Sequence, residues 1–250
     1  NGSSLRVHNE KREQDAHTVN PCSLTGGEKA AEQRSYLSGG NIYIAYGLGT
    51  PPAEIYERSL NLSDGKANVI FRSGQVDYKR ECLVSNPDNV MVVRLTASQA
   101  KALNLKVTFP TNSGFTKKGE TTTVTGDTLT VKGALGNNGL LYNAKIKAVV
   151  EGAEGSVSSD DGKALKISDA GAVTLYIAAG TNYQNTYPSY RNGEDAKALD
   201  TRLAANVQKA ANKGYAQVKK DHIADHQSIY NRVKLDLGQD PTYGDGALAT

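Results

Sequence analysis

The 250-residue chain has 38% hydrophobic residues, 22% charged residues and a formal net charge of +3. This composition predicts a soluble globular protein, long enough for one large β-domain or two ordinary domains. The charge is too small and the basic clusters are too short for nucleic-acid binding. No apolar run approaches the roughly 20 residues that a membrane-spanning helix needs. The first residues also lack the apolar core of a secretory signal.

Most of the chain has the residue pattern of β-strands joined by tight turns. Residues 1–35 are polar and charged, show no apolar stripe and are left unassigned. Runs with strand character then follow at residues 42–46, 54–62, 67–72, 76–85, 90–95, 103–109, 121–124, 128–132, 141–150, 164–167 and 173–179. Segments rich in Gly, Asn and Asp separate them. So many strands exceed one immunoglobulin-like unit, so we expect a mainly β fold of two large stacked sheets over residues 36–192.

After the strands the apolar residues change to a helical period. Leu199, Leu203 and Val207 recur every four residues, and Gly214 is well placed to end this first helix. A second helix follows directly. The short connection between them predicts a helical pair over residues 193–232, packed on the sandwich or on each other.

The second helix is predicted to lead into one more strand. Val218, Ile229 and Val233 mark one face of this helix. Polar and apolar residues then alternate over residues 233–238, which predicts a strand of the sandwich. Residues 239–250 have the composition of a linker.

Four motifs occur in one order and at compatible spacing between about residue 36 and residue 240. They are Y-x-R-x-L-x-L from Tyr56, R-E-x-x-x-S-x-P-D-x-V from Arg80, A-A-x-T-N-Y from Ala178 and H-x-x-D-H-x-x-I-Y-x-R-V-x-L-D-L-G from His222. Together they resemble the N-terminal β-domain of glycoside hydrolase family 95, the α-L-fucosidase family best known for cleaving α-1,2-linked fucose. The family's usual opening tryptophan is not matched, since this chain contains no tryptophan.

The resemblance implies a β-super-sandwich of the galactose-mutarotase-like type, followed by a helical linker to an (α/α)6 barrel. In the family the chemistry lies in that barrel, where a glutamic acid and an aspartate helped by an asparagine hydrolyse the glycosidic bond with inversion. No position among these 250 residues matches the barrel motifs. We therefore transfer no catalytic residue to this sequence.

The loop over residues 181–191 is the strongest candidate for contact with a ligand. Tyr183, Tyr187 and Tyr190 could stack on sugar rings, because tyrosine combines a flat apolar body with a polar tip. Asn182 could hydrogen-bond to sugar hydroxyls. Two alternatives stay open, namely contact with the catalytic barrel and an ordinary connection between strand and helix.

His222 and His226 are one helical turn apart, a spacing that can hold zinc. The glutamate of the zincin pattern is replaced by Ile223, however. We therefore expect a pair of packed, hydrogen-bonded histidines where the helix meets the sheet, and no metal ion.

Charged residues also lie on or beside neighbouring predicted strands. They are Arg58, Arg80, Arg94, Glu57, Glu81 and Asp88. They could bind sugar hydroxyls or act as an acid–base pair. Cross-strand ion pairs and turn contacts are the favoured interpretation.

The two cysteines, Cys22 and Cys82, could form a disulfide in an oxidising compartment. Cys82 lies in a strand pattern, where a buried free thiol is the commoner state. Neither cysteine points to a cofactor, and we expect none.

Taken together, the sequence predicts the non-catalytic N-terminal module of a glycoside hydrolase whose parent enzyme hydrolyses terminal α-1,2-linked L-fucose with inversion. The expected partners are the parent's own (α/α)6 barrel and a fucosylated oligosaccharide or glycoconjugate. We expect an extracellular or cell-surface bacterial protein, with the cytoplasm left open. Alternatives are an independent carbohydrate-binding module, a module of a related α-L-galactosidase, and a purely structural or adhesive sandwich.

Overall fold

Twelve β-strands and two helices form the part of the chain that the computed structural model describes, residues 41–47, 55–111, 116–152 and 154–234. The strands are β1 (Tyr43–Tyr46), β2 (Ile55–Asn61), β3 (Lys66–Ser73), β4 (Val76–Ser85), β5 (Val90–Ala97), β6 (Leu103–Thr108), β7 (Lys117–Thr125), β8 (Thr128–Leu135), β9 (Leu141–Glu151), β10 (Ser156–Asp160), β11 (Ala164–Ala170) and β12 (Ala172–Thr181). The helices are α1 (Ala196–Lys213) and α2 (Tyr215–Tyr230).

The strands form two antiparallel sheets. The smaller sheet has the order β1-β6-β11-β10, and the larger has the order β2-β3-β4-β5-β12-β9-β8-β7. Apolar side chains from both sheets make one core between them. The predicted mainly β, two-sheet sandwich with a helical pair is therefore confirmed. The sequence prediction omitted β10, whose five residues include a single apolar side chain, Val157.

The centre of the larger sheet is covered on both faces, which explains why β5 is apolar almost throughout. Val93 and Leu95 face the smaller sheet and belong to the inner core. Val90 and Val92 face the opposite way and belong to a second core beneath the helices. A strand buried on both faces needs apolar residues at consecutive positions rather than at alternate ones.

Helix α1 packs its predicted stripe on the outer face of the larger sheet. Leu199, Leu203 and Val207 are all buried in the second core. Asp195 begins the helix by accepting a hydrogen bond from the Ala198 backbone N–H at 2.7 Å. Gly214 ends it with φ +79°, a conformation that a side chain disfavours, and donates its N–H to the last carbonyls of α1. The predicted helical pair packed on the sandwich is confirmed.

Helix α2 is less deeply packed toward its end. Val218 is buried, whereas Ile229 is 63% exposed and Val233 is 78% exposed. No helix among the described residues is long and apolar enough to cross a membrane. The unassigned segment 1–35 and the linker 239–250 lie outside the described residues, as do Cys22 and nearly all of the strand expected at 233–238. Cys82 is a free thiol, and its burial raises the pKa.

Candidate functional site

The segment between β12 and α1 carries the predicted sugar-binding residues, and Asn182 fixes its start. Asn182 is 8% exposed. Its Oδ1 accepts a hydrogen bond from the Leu141 backbone N–H at 3.1 Å, and its Nδ2 donates to the Glu194 carbonyl at 3.3 Å. Both side-chain groups therefore bind backbone that flanks the loop. Asn182 positions the loop, and its predicted contact with sugar hydroxyls stays a prediction.

Two arginines hold the far side of this loop. Arg191 donates to the Asn138 carbonyl at 3.0 Å. Arg202, on α1, donates from Nε and Nη2 to the two carboxylate oxygens of Glu194, each at 2.7 Å. These hydrogen bonds from Arg202 and one from Asn192 lower the pKa of Glu194 to about 2. The loop is therefore held by the Arg202 side chain of α1 and by hydrogen bonds between its own side chains and backbone groups at residues 138–141.

The three tyrosines of the loop are exposed to different extents. Tyr187 is 82% exposed and Tyr183 is 43% exposed. Tyr190 is partly buried, and its ring meets that of Tyr187 edge to face with centroids 6.3 Å apart. Tyr183 pairs with Arg191 through an isolated β-bridge. An exposed aromatic face held on a fixed frame can stack on an apolar ring face, so Tyr187 is the best placed of the three for such a contact.

Glu81 belongs to an ion-pair network beneath α2. The Lys66 ammonium lies 2.9 Å from the Glu81 carboxylate, and the ammonium groups of Lys79 and Lys219 each lie 3.5 Å from it. Burial alone would raise the pKa of Glu81, but the Lys66 hydrogen bond and the lysine charges lower it to about 2. A general acid needs a pKa near the working pH. Glu81 is therefore an ion-pair partner and a poor proton donor at neutral pH.

Arg94 joins three elements on the same face of the sheet. Its guanidinium donates to Glu151 Oε2 at 2.7 Å and to Thr174 Oγ1 at 2.9 Å, and lies 4.9 Å from the ring centroid of Tyr215. Cation–π contacts of this kind favour a guanidinium over the ring face. The expected cross-strand ion pair is present, but Arg94 pairs with Glu151 on β9, two strands away.

The two other arginines contact tyrosines. Arg80 is 5% exposed between the sheets, where Nη2 donates to the Tyr46 hydroxyl at 3.3 Å. Arg58 is exposed on β2, with its guanidinium 5.6 Å from the ring centroid of Tyr56. Neither arginine forms an ion pair with Glu57, Glu81 or Asp88.

Asp88 stabilises the turn between β4 and β5. It accepts hydrogen bonds from Ser85 Oγ at 2.7 Å and from Lys213 Nζ at 2.8 Å. Lys213 is the last residue of α1, so this contact ties the helix end to the turn. Glu57 is exposed on β2. The structural interpretation of these charged residues fits the geometry better than an acid–base pair.

The two helical histidines bind the turn between β2 and β3. His222 Nε2 lies 2.9 Å from the Asp64 carbonyl and 3.2 Å from the Gly65 carbonyl, while His226 Nε2 lies 2.7 Å from the Leu62 carbonyl. Carbonyls only accept, so each Nε2 carries the proton. Gly65 has φ +59°, and a Cβ there would lie 2.9 Å from His226 Nδ1. The predicted packed, hydrogen-bonded pair is confirmed.

We expect His222→Ala to lower the free energy of unfolding by about 1–3 kcal/mol, because the partly buried carbonyls of Asp64 and Gly65 lose their donor. Urea denaturation measures this change, and amide exchange should accelerate at the β2–β3 turn. Lys220→Ala, an exposed change on the same helix, is the control and should be nearly neutral. Equal effects of the two substitutions would contradict the role of the hydrogen bonds.

The fold and these contacts define a β-sandwich module with an attached helical pair. A family model for the glycosyl hydrolase family 65 N-terminal domain matches residues 7–186. The chain therefore belongs to this family of N-terminal domains.

Two relatives carry fucosidase names. Alpha-L-fucosidase 2 of Arabidopsis thaliana is 30% identical over 206 residues, which cover 75% of this chain and 24% of the relative. Probable alpha-fucosidase A of Aspergillus niger is 28% identical over 189 residues, which cover 73% of this chain and 23% of the relative. The chain thus spans about a quarter of the length of the relatives it matches. The predicted relation to N-terminal domains of fucosidase-type glycoside hydrolases is confirmed.

A solved structure supports the same fold. It is a putative kojibiose phosphorylase from human microbiome, with a TM-score of 0.54 and 10% sequence identity, covering 77% of this chain and 28% of that one. At this identity the likeness concerns the fold alone.

Proposed function

We propose that this chain is a non-catalytic module of a family 95 glycoside hydrolase that releases terminal α-1,2-linked L-fucose with inversion. The observation that carries the proposal is the match to two proteins with fucosidase names over about three quarters of the chain. The parent's (α/α)6 barrel would supply the acid and the base. Because its substrates would be fucosylated oligosaccharides or glycoconjugates, we also propose an extracellular or cell-surface location.

The charges of the described residues support the non-catalytic role. Glu81 is the more buried of the two candidate carboxylates that lie on strands, Glu57 and Glu81. The lysines around Glu81 outweigh the effect of burial and lower its pKa to about 2. Inverting glycosidases need one carboxyl group that stays protonated near neutral pH. Asp88 is held by a serine and a lysine in a turn. These groups are used to build the fold.

The end of α2 supports a packed partner. Ile229 lies in the last turn of α2 and Val233 lies three residues beyond its end, and they are 63% and 78% exposed. Apolar side chains grouped at the exit of a helix are typical of surfaces that another domain covers. We propose that the parent's barrel packs on this end of α2 and on the neighbouring sheet face.

The first test compares the whole parent protein with the isolated 250-residue chain. Each is incubated with 2′-fucosyllactose and with its 3-fucosyl isomer, and proton NMR follows the anomer released in the first minutes. We expect only the whole protein to act, with preference for the 2′ isomer and initial release of β-L-fucose. Fucose release by the isolated chain would contradict the non-catalytic role. Failure of the whole protein on both sugars would contradict the fucosidase assignment.

A second candidate function is an independent carbohydrate-binding module, which the 82% exposure of Tyr187 favours. Titration of 2′-fucosyllactose into the chain, followed by NMR, tests it. If the loop binds sugar, Tyr187→Ala should weaken binding by about fivefold or more, since an aromatic contact contributes about 1 kcal/mol or more. Tyr56→Ala, an exposed tyrosine on β2, is the matched control. Unchanged binding by the Tyr187→Ala variant would exclude this loop as the sugar-binding site.

A further inference from the structure

Strand β2 is the outermost strand of the larger sheet, and it is exposed along its whole length. Among the described strands it pairs with β3 alone. An edge strand directs the N–H and C=O groups of every second residue away from the sheet, where they can bind another strand. Native proteins usually cover or interrupt such an edge, particularly when it carries apolar side chains.

The free edge does carry apolar side chains. Tyr56 lies opposite Phe71 of β3, which belongs to the inner core, so Tyr56 and Leu60 are on the core-facing side of β2. Both are nevertheless exposed, as is Leu62 just after the strand. The smaller sheet ends at β1, whose Tyr46 packs on Phe71, one strand short of β2. Another segment can therefore bury apolar surface by packing here.

Helix α2 crosses the larger sheet toward this edge. Its successive contacts lie on β4, just before β3 and just after β2, and they are Lys219–Glu81 at 3.5 Å, His222–Gly65 at 3.2 Å and His226–Leu62 at 2.7 Å. The ring of Tyr230, the last residue of α2, stacks on that of His226 with centroids 5.5 Å apart. The helix therefore ends beside the free edge of β2, at its Asn61 end.

The chain that leaves α2 is well placed to pair with β2. Neighbouring strands lie about 4.8 Å apart and one helical turn advances about 5.4 Å, so the free edge is within reach of the residues after Tyr230. A strand that enters at the Asn61 end must run toward Ile55, antiparallel to β2. Six residues at about 3.4 Å each span about 20 Å, close to the length of β2.

Residues 233–238 suit this edge better than the other segments outside the described residues. Their alternation of polar and apolar residues predicts a strand with one apolar face. Residues 1–35 are polar and charged and have no apolar stripe. The segment just before β2 contains Pro51 and Pro52, which lack the N–H groups that a strand ladder needs.

We propose that residues 233–238 form the outermost strand of the larger sheet, antiparallel to β2, with Leu235 opposite Leu60 and Leu237 opposite Arg58. The two leucines then extend the apolar row on the core-facing side of β2. The pairing does not depend on the proposed fucosidase role, because both strands belong to this chain.

Charge selects this register. It places Asp236 opposite Ser59, whereas a shift by two residues would place Asp236 opposite Glu57, and like charges directly opposite are destabilising. The new strand closes the edge to strands of other molecules. It also makes the linker at 239–250 begin beside Ile55, at the far end of β2 from the helix.

The first test is a disulfide between the two strands in the full 250-residue chain, with Cys22→Ser and Cys82→Ala removing the native thiols. Opposite residues of an antiparallel pair have Cα atoms about 4.5–5.5 Å apart, within reach of a disulfide, whereas diagonal neighbours are about 7–8 Å apart. Under glutathione disulfide, Leu60→Cys with Leu235→Cys should therefore cross-link at least about ten times faster than Leu60→Cys with Leu237→Cys. Peptide mass spectrometry measures both rates. Equal rates, a faster Leu237→Cys pair or no cross-link in either variant would overturn the proposal.

A second test uses no cysteines. Adjacent residues of a strand direct their N–H groups to opposite sides, so the Leu235→Pro, Asp236→Pro double variant removes one donor to β2 in any register. Amide exchange in β2 should become about tenfold faster or more. The Ala247→Pro, Leu248→Pro double variant, further along the linker, is the control and should leave β2 unchanged. Unchanged exchange in the first variant would overturn the proposal and indicate that another segment or a second copy covers β2.

Discussion

Leu203→Ala should lower the free energy of unfolding by about 2–5 kcal/mol, the largest effect that we expect from a single helix substitution. Leu203 is 1% exposed in the core beneath the helices. Leu203 packs closely on Gly180 of β12, where an added Cβ would lie 3.3 Å from Leu203 Cδ2. Truncation therefore leaves a cavity that helix and sheet cannot easily close.

Chemical denaturation followed by circular dichroism measures this effect. Lys209→Ala, at an exposed position of α1, is the matched control and should change stability by less than about 0.5 kcal/mol. A loss below about 1 kcal/mol for Leu203→Ala would mean that α1 does not depend on the sheet for its stability. In that case the helical pair would be an appendage and not a layer of the module.

The second large effect is an acid-dependent loss of stability that depends on Glu81. The folded-state pKa of Glu81 is lowered from 4.5 to about 2. A lowered carboxyl pKa contributes stability above the unfolded value and loses it as the pH falls through the folded value. At about 1.4 kcal/mol per pKa unit, the contribution is on the order of 3 kcal/mol, fully present above about pH 5 and lost toward pH 2.

Glu81→Gln should therefore destabilise the chain at pH 7 and flatten the stability profile between pH 5 and pH 2. The loss at pH 7 has a second cause, because Lys66 and Lys219 keep their charges beneath α2 without a carboxylate. Glu57→Gln, exposed on β2, is the control and should leave the profile unchanged. An identical acid profile for the wild type and Glu81→Gln would show that other carboxylates govern acid unfolding.

Local patterns predicted the strands well where turns bound an apolar run. The predicted strand over residues 76–85 coincides with β4, because Gly74 and the Asn86–Asn89 turn mark its two ends. The prediction at 121–124 was shorter than β7, which begins at Lys117. This strand is rich in lysine and threonine and buries little, so its residues lack the apolar alternation on which the prediction depends.

Pairings across the sheet could not be predicted from one sequence. Arg94 and Glu151 are 57 residues apart in the sequence and meet because the sheet order brings β5 and β9 to either side of β12. The hydrogen bonds between the Asn182 side chain and the backbone groups of Leu141 and Glu194 were not predicted either. Roles of this kind depend on strand order and register, which local patterns do not contain.

The histidine contacts also bear on the order in which the chain folds. They join α2 to the turn between β2 and β3, across sequence separations of 158 and 164 residues. Contacts between such distant segments are slow to form, because a long loop must close first. On the ribosome, the β2–β3 hairpin would emerge long before the helix that covers its turn. We therefore expect nascent chains that lack α2 to expose this edge of the sheet and to depend on chaperones until synthesis passes Tyr230.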